Sequence, residues 1–378
     1  MSFNLGELNM IRIGISGIGA IAQNYIELFS TGKIEGAKIT ALSSRNKENM
    51  EIVKEENSLK EVTLYTDYEE LLKSGEIDAV IICTPHAQHP GMAVKAMENG
   101  IHVLIEKPIG SNINDVSALE AMVKLHPELT SGVLYCRRMS KACNKMKELV
   151  MNGAVGSLKR ATWMITNLYR TDSYHKSSPW RGTYRGEGGG IMLTQASHQL
   201  DLFLWMTGIP RSVQGFCYLG MERNIEVEND VMLQMEFENG ATGQFIASSR
   251  EYPGTNRFEL SGDAGQLIME DDRRLIYRKL SKNESDYNKH TNQLYGSIVY
   301  ETEEYEFDDF NNQVQQAGII NNFIEAVKTK KKAICSVEEA IASLWVINGA
   351  YLSSWEKKKI EIPFDPEEYQ KKLSEFLK

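Results

Sequence analysis

The chain has 378 residues, 42% hydrophobic and 25% charged, which describes a folded protein too long for one hydrophobic core. Its formal net charge of -9 argues against nucleic acid and membrane surfaces as partners, since a negative surface repels phosphate and anionic lipid. Five scattered cysteines without a Cys-x-x-Cys pair argue against a disulfide framework and a structural zinc site, so a cytoplasmic protein with no metal is expected.

From residue 11 to about 132, short apolar runs at 11–16, 38–43, 79–83, 102–105 and 132–135 alternate with helix-like segments at 20–29, 68–72, 87–98 and 113–124. Parallel strands need crossover connections, so this alternation predicts a doubly wound parallel sheet of Rossmann type. A helix is predicted at 141–151, and after it the texture changes. Val231, Leu233, Met235 and Phe237 alternate with Met232, Gln234, Glu236 and Glu238, then Asn239-Gly240 leads into a second strand-like run at 241–249. Asn-Gly suits a tight hairpin, so antiparallel sheet follows. Another turn is predicted between strands at 258–260 and 267–269, the stretch 286–312 is polar and weakly patterned, and helical spacing returns at 319–327 and 337–355. No stretch reaches the ~18–20 apolar residues of a membrane span. The basic runs at Lys328–Lys332 and Lys357–Lys359 follow those last helices, where cations complement the helix dipole. The expected division is a dinucleotide-binding domain over 1–135 and an α/β domain with a largely antiparallel open sheet over 136–378, serving substrate binding and oligomerisation.

Gly17-Ile18-Gly19-Ala20-Ile21-Ala22 joins the first strand to the first helix. Gly17 permits the turn, Gly19 lets the backbone approach a pyrophosphate, and Ala22 allows close helix packing. A phosphate would then sit at the helix N-terminus. After the second strand come Ser43, Ser44 and Arg45 with no carboxylate. An acidic residue there would favour NAD, whereas Ser44 and Arg45 suit the extra phosphate, so NADP is the favoured cofactor and NAD the alternative.

Cys83-Thr84-Pro85-His86 and Glu106-Lys107-Pro108 close two further strands, where such sheets face their ligands. Thr84, Pro85, His89, Glu106 and Lys107 therefore join Gly17, Ile18, Gly19, Ala20, Ile21, Ser44 and Arg45 as candidate cofactor contacts. Lys107 is placed to donate a proton to a carbonyl oxygen during hydride transfer. Later, the triplet Gly188-Gly189-Gly190 leads to Thr194, Gln195, His198 and Asp201; in a helix, Thr194, His198 and Asp201 share a face.

Gly-x-Gly-x-x-Ala, Thr-Pro, Glu-Lys-Pro, Trp180-Arg181, the glycine triplet and His-x-x-Asp occur here in one order, and in that order the chain resembles the glucose–fructose oxidoreductase/inositol dehydrogenase (Gfo/Idh/MocA) family from Ile11 to about Trp355. The resemblance implies a Rossmann domain, a second domain used for dimerisation, and hydride transfer between a nicotinamide and a sugar, sugar derivative or inositol. It places Lys107 and His198 beside the substrate as the catalytic pair. Arg138, Tyr174, His175, Trp180, Arg181, Tyr184, Thr194 and Gln195 are further candidate substrate contacts. Many members carry Asp where this chain has Thr194, which leaves the catalytic base open between His198 and Lys107. Two other readings stay open: a dinucleotide-binding regulatory protein without turnover, and a glycosidase using NAD transiently. The Lys107-Pro108 peptide is expected to be cis. The outward residues Met232 and Ile246 predict a homodimer or homotetramer built on the open sheet face.

Overall fold

The computed structural model describes residues 10–308 and 311–377. Packing divides the chain into two compact units: residues up to Arg138 together with Asn311–Ile341, and Met139–Phe310 together with Ala342–Lys378. The segment 311–341, expected in the second domain, thus packs with the first. The helix Asn312–Thr329 is tied to the first unit by Lys33 Nζ donating to Gln313 Oε1 at 2.8 Å and Glu35 N donating to Asn321 Oδ1 at 3.0 Å.

The first unit holds six parallel strands: β1 (Ile11–Ser16), β2 (Ala37–Ser43), β3 (Thr63–Tyr65), β4 (Ala79–Ile82), β5 (His102–Ile105) and β6 (Ser131–Val133), in the order β3-β2-β1-β4-β5-β6. All four residues of β4 are fully buried, as expected where helices cover both faces of a parallel sheet. Strand order reverses between β1 and β4, and a crevice outside their carboxyl ends is where such sheets bind ligands. At the far edge, Val133 N donates to Cys335 O at 3.0 Å, so the returning segment lines β6.

The second unit holds nine strands: β7 (Leu158–Ile165), β8 (Ser212–Leu219), β9 (Glu228–Glu236), β10 (Thr242–Ser248), β11 (Asn256–Gly262), β12 (Gly265–Glu270), β13 (Arg274–Leu280), β14 (Tyr300–Glu306) and β15 (Ile360–Glu361). Their order is β14-β13-β12-β11-β7-β10-β9-β8-β15. Only β7 with β10 is parallel among the described pairs, so the sheet is largely antiparallel as expected. Gly240, in the predicted hairpin, has φ +82°. On one face Trp163 stacks on Phe258 at 4.3 Å between centroids, and Phe203 of the helix Ser197–Thr207 meets Phe258 and Phe245. On the other, Phe216, Met232, Ile246 and Met164 stand in one cross-strand row, with Phe216, Met232 and Met164 exposed.

Candidate functional site

In the first unit the turn after β1 is built from backbone. Gly17 has φ +88°, and a Cβ there would lie 2.7 Å from the Cys83 carbonyl carbon and 2.8 Å from Thr84 N. Only glycine fits, because the conformation and the space both exclude a side chain. At Gly19 the reason differs: a Cβ would meet nothing within 4 Å. The helix Ala20–Ser30 starts there without a capping side chain or an acidic residue in its first turn. Its leading amides and the dipole suit an anion, and the open space over Gly19 admits one. This cradle fits a dinucleotide pyrophosphate. Ser44 donates its amide to Tyr65 O at 3.1 Å, while its Oγ accepts from Asn46 N at 3.3 Å. Arg45 is exposed.

Lys107 follows β5 and is half-buried; the Lys107-Pro108 peptide is cis, as expected. Its neighbour Glu106 is buried, and Tyr25 donates its hydroxyl to Glu106 Oε1. Burial pushes the Glu106 carboxyl up, while the Lys107 charge and the Tyr25 hydroxyl pull it down. His89 is fully buried, with ring nitrogens 2.8 Å from Pro108 O and 2.7 Å from Thr84 O. Burial pulls its proton affinity below the usual histidine range. A neutral ring donates from one nitrogen only, so it bonds one or the other of these carbonyls, on the loops after β4 and β5. Both ring nitrogens of this expected cofactor contact thus face main-chain carbonyls. Arg138 is likewise engaged within the protein: it is 2% exposed and Nη1 donates to Glu339 Oε2 and Ile334 O, both at 2.7 Å. The guanidinium of this expected substrate contact is thus engaged inside the protein.

In the second unit the glycine triplet has a packing reason. A Cβ on Gly189 would collide with Tyr351, and one on Gly190 with Glu228. Room left by those glycines seats the Glu228 carboxylate, which accepts from Gly190 N (2.8 Å), Met192 N (3.1 Å) and Tyr351 Oη (2.8 Å). Burial pushes this carboxyl up to about 7 against those bonds. Beside it lies a small pocket lined by His175, Glu187, Thr194, Gln195, Glu228 and Ser249 among others. Thr194 Oγ1 donates to Gly190 O at 2.8 Å, and Gln195 Nε2 donates to Tyr174 Oη at 3.0 Å. Arg181 donates to the same Tyr174 oxygen at 2.6 Å. Trp180 is exposed and His198, in the helix Ser197–Thr207, is half-buried. Tyr184 is buried against Phe376 and Trp355, so it is core rather than a substrate contact.

The model for the oxidoreductase family with an NAD-binding Rossmann fold matches residues 11–132, and that for the GFO/IDH/MocA C-terminal domain matches 143–268. The chain belongs to the Gfo/Idh/MocA family. It is an enzyme, a nicotinamide-dependent oxidoreductase. Among relatives of this family, it is 26% identical to myo-inositol 2-dehydrogenase of Thermotoga maritima over 68% of this chain and 75% of that one. It is also 26% identical to the NAD(+)-dependent scyllo-inositol 2-dehydrogenase of Bacillus subtilis, over 69% and 74%. Levoglucosan dehydrogenase in complex with NADH and L-sorbose shares the fold with a TM-score of 0.78 at 16% identity, covering 94% of this chain and 99% of that one. The WlbA dehydrogenase of Bordetella pertussis, in complex with NADH and UDP-GlcNAcA, does so with a TM-score of 0.75 at 21% identity, covering 94% and 100%.

Sequence reading of this Gfo/Idh/MocA chain missed Tyr25 and Glu228. Tyr25 falls at helical spacing among Ala22, Ile26 and Leu28, all buried, and so resembles ordinary core. Glu228 opens a strand in the run Val-Glu-Asn-Asp, which gives no hint that two amides and a tyrosine surround it. The one available signal was the glycine triplet, since consecutive glycines imply something bulky packed close.

Proposed function

We propose that this enzyme transfers a hydride between NADP, or NAD, and a secondary alcohol or ketone of a sugar, sugar derivative or inositol. The carrying observation is the cradle at Gly17 and Gly19, with its open space over an uncapped helix start. A bound nicotinamide supplies or takes up the hydride. Lys107 gives a proton to the substrate oxygen in the reductive direction, because an ammonium offers three donors and no acceptor. In the oxidative direction His198 or Lys107 takes the hydroxyl proton. Thr194, whose hydroxyl is spent on Gly190 O, orients substrate without accepting a proton. Ser44 and Arg45 receive the adenosine phosphate, which favours NADP. The cross-strand row Phe216, Met232, Ile246 and Met164, exposed at all but Ile246, serves a homo-oligomer, and the free thiols of all five cysteines suit a cytoplasmic location.

Nicotinamide absorbance followed against sugars, sugar phosphates, inositols and aryl glycosides tests this reading. Reduction by a polyol supports it. Tight cofactor binding with no turnover on the whole panel would favour a regulatory protein, and glycoside cleavage without net reduction a glycosidase.

A further inference from the structure

Three guanidinium groups act on one imidazole in the second unit, two of them against one phenol. Arg181 lies over the Tyr174 ring, 4.4 Å from its centroid, and Arg170 approaches the same ring at 5.2 Å. Arg223 donates Nε to Arg170 O at 3.2 Å and stands over Tyr169 at 5.6 Å. Arg170 in turn is fixed to the pocket wall, its amide donating to Ser249 O at 2.9 Å. All three charges act on the His175 ring and lower its proton affinity, after burial, with Asp172 opposing them.

The carboxylates facing this group hold it loosely. Asp172 is 3.9 Å from Arg223 and Glu187 is 3.7 Å from Arg181, both beyond hydrogen-bond range. Among the described residues Arg170 has no carboxylate within 4.0 Å; its Nη1 donates only to the carbonyls of Leu168 and Tyr169, at 3.3 and 2.8 Å. Two other arginines of this unit are closely paired by contrast, Arg250 with Asp230 and Arg274 with Glu304, each at 2.8 Å. Among the described residues, no carboxylate within hydrogen-bond distance of the three guanidinium groups is therefore seen.

His175 supplies the second observation. Both its ring nitrogens are buried without a hydrogen-bond partner among the described residues, and the ring lines the pocket. A neutral imidazole has one donor and one acceptor, and leaving both unmade in a buried place is costly. A hydroxyl, which donates and accepts, satisfies either nitrogen.

We propose that the substrate is an anionic polyol, bearing a carboxylate or phosphate held by Arg170, Arg181 and Arg223 and a hydroxyl held by His175. This rests on the polyol reading of the preceding section and adds charge to it. Guanidinium geometry matches both anions in two-pronged fashion, so the two sources are separated by experiment.

Calorimetric binding to the cofactor-loaded enzyme compares D-glucose with D-glucuronate and D-glucose 6-phosphate, and myo-inositol with its 1-phosphate. At least one anionic member is expected to bind about tenfold or more tightly than its neutral counterpart, and its identity decides between carboxylate and phosphate. That preference should collapse in Arg170→Gln and in Arg181→Gln and survive in Arg170→Lys at low salt, with melting curves confirming the fold. Equal binding of neutral and anionic members, or a preference unchanged in both glutamine variants, overturns the proposal. Cofactor reduction by neutral polyols alone would overturn it and leave the polyol reading standing. Arginine-dependent anion binding with no reduction by any member would sustain the anion site and remove the polyol reading.

Discussion

The two halves of the candidate machinery are made of different material. In the first unit the cradle is main chain: a left-handed glycine, an open glycine, a helix start and carbonyls. In the second unit the pocket is side chain: His175, Gln195 and Glu228, with arginines around Tyr174. Backbone-built sites offer the same donors whatever the neighbouring side chains are, which suits a cofactor shared across a family. Side-chain pockets change with each substitution, which suits a substrate peculiar to one enzyme.

The largest break in this contrast is a single side chain in the main-chain half. Lys107→Ala is expected to lower turnover by about 10²–10⁴-fold while cofactor affinity, measured by fluorescence titration, stays within about twofold. Unchanged turnover would take Lys107 out of the reaction.

A second test addresses the buried carboxyl of the side-chain half. Burial raises Glu228 to about 7 from an ordinary 4.5, so between those values the folded state binds a proton that the unfolded state has lost. Stability through this group is therefore greatest below about pH 4.5, declines as pH rises to 7, and is level above that, by about 3 kcal/mol in all. Glu228→Gln stays neutral, and urea unfolding should show the variant gaining on the wild type by up to that amount between pH 4.5 and 8. A pH-independent gap would refute the assignment.

A third returns to the cradle. Arg45→Ala should weaken NADP by roughly ten- to a hundred-fold, the scale of a charge-assisted contact, and leave NAD nearly unaffected. Ser44→Asp should shift preference toward NAD. Equal losses for both cofactors would leave Arg45 as a solvated residue. The smallest effect on the fold is expected from Met232→Lys, within about 0.5 kcal/mol for an exposed site. Light scattering should nevertheless show it dissociating an oligomer; a wild type already monomeric at micromolar concentration would end that proposal.

Legibility in the sequence followed burial. The run Ala79–Ile82 is apolar throughout and could only be an inner strand, whereas Thr63–Tyr65 is three residues at the sheet edge with none buried. The helix Lys47–Glu56 was overlooked because only Met50 and Val53 are buried, too few to mark a stripe. β14 reads Tyr-Glu-Thr-Glu-Glu-Tyr-Glu with no buried residue, so no alternation could announce it. The glycines and Lys107 were legible because they follow strands. Glu228, Arg170 and Arg223 were not, since their meaning depends on partners distant in the chain. Helical spacing also revealed that 319–327 was a helix without revealing which core would receive it.

That return of the chain has a consequence during synthesis. The Cys335 carbonyl on the edge of β6 and the helix resting on Ala20–Ser30 are translated only after eight of the nine strands of the second unit's sheet. At about 5–20 residues per second, the nascent parallel sheet waits tens of seconds on the ribosome with that edge unlined. A fragment ending at Arg138 is a frozen copy of this intermediate, and its β6 would be open to pairing with another nascent chain.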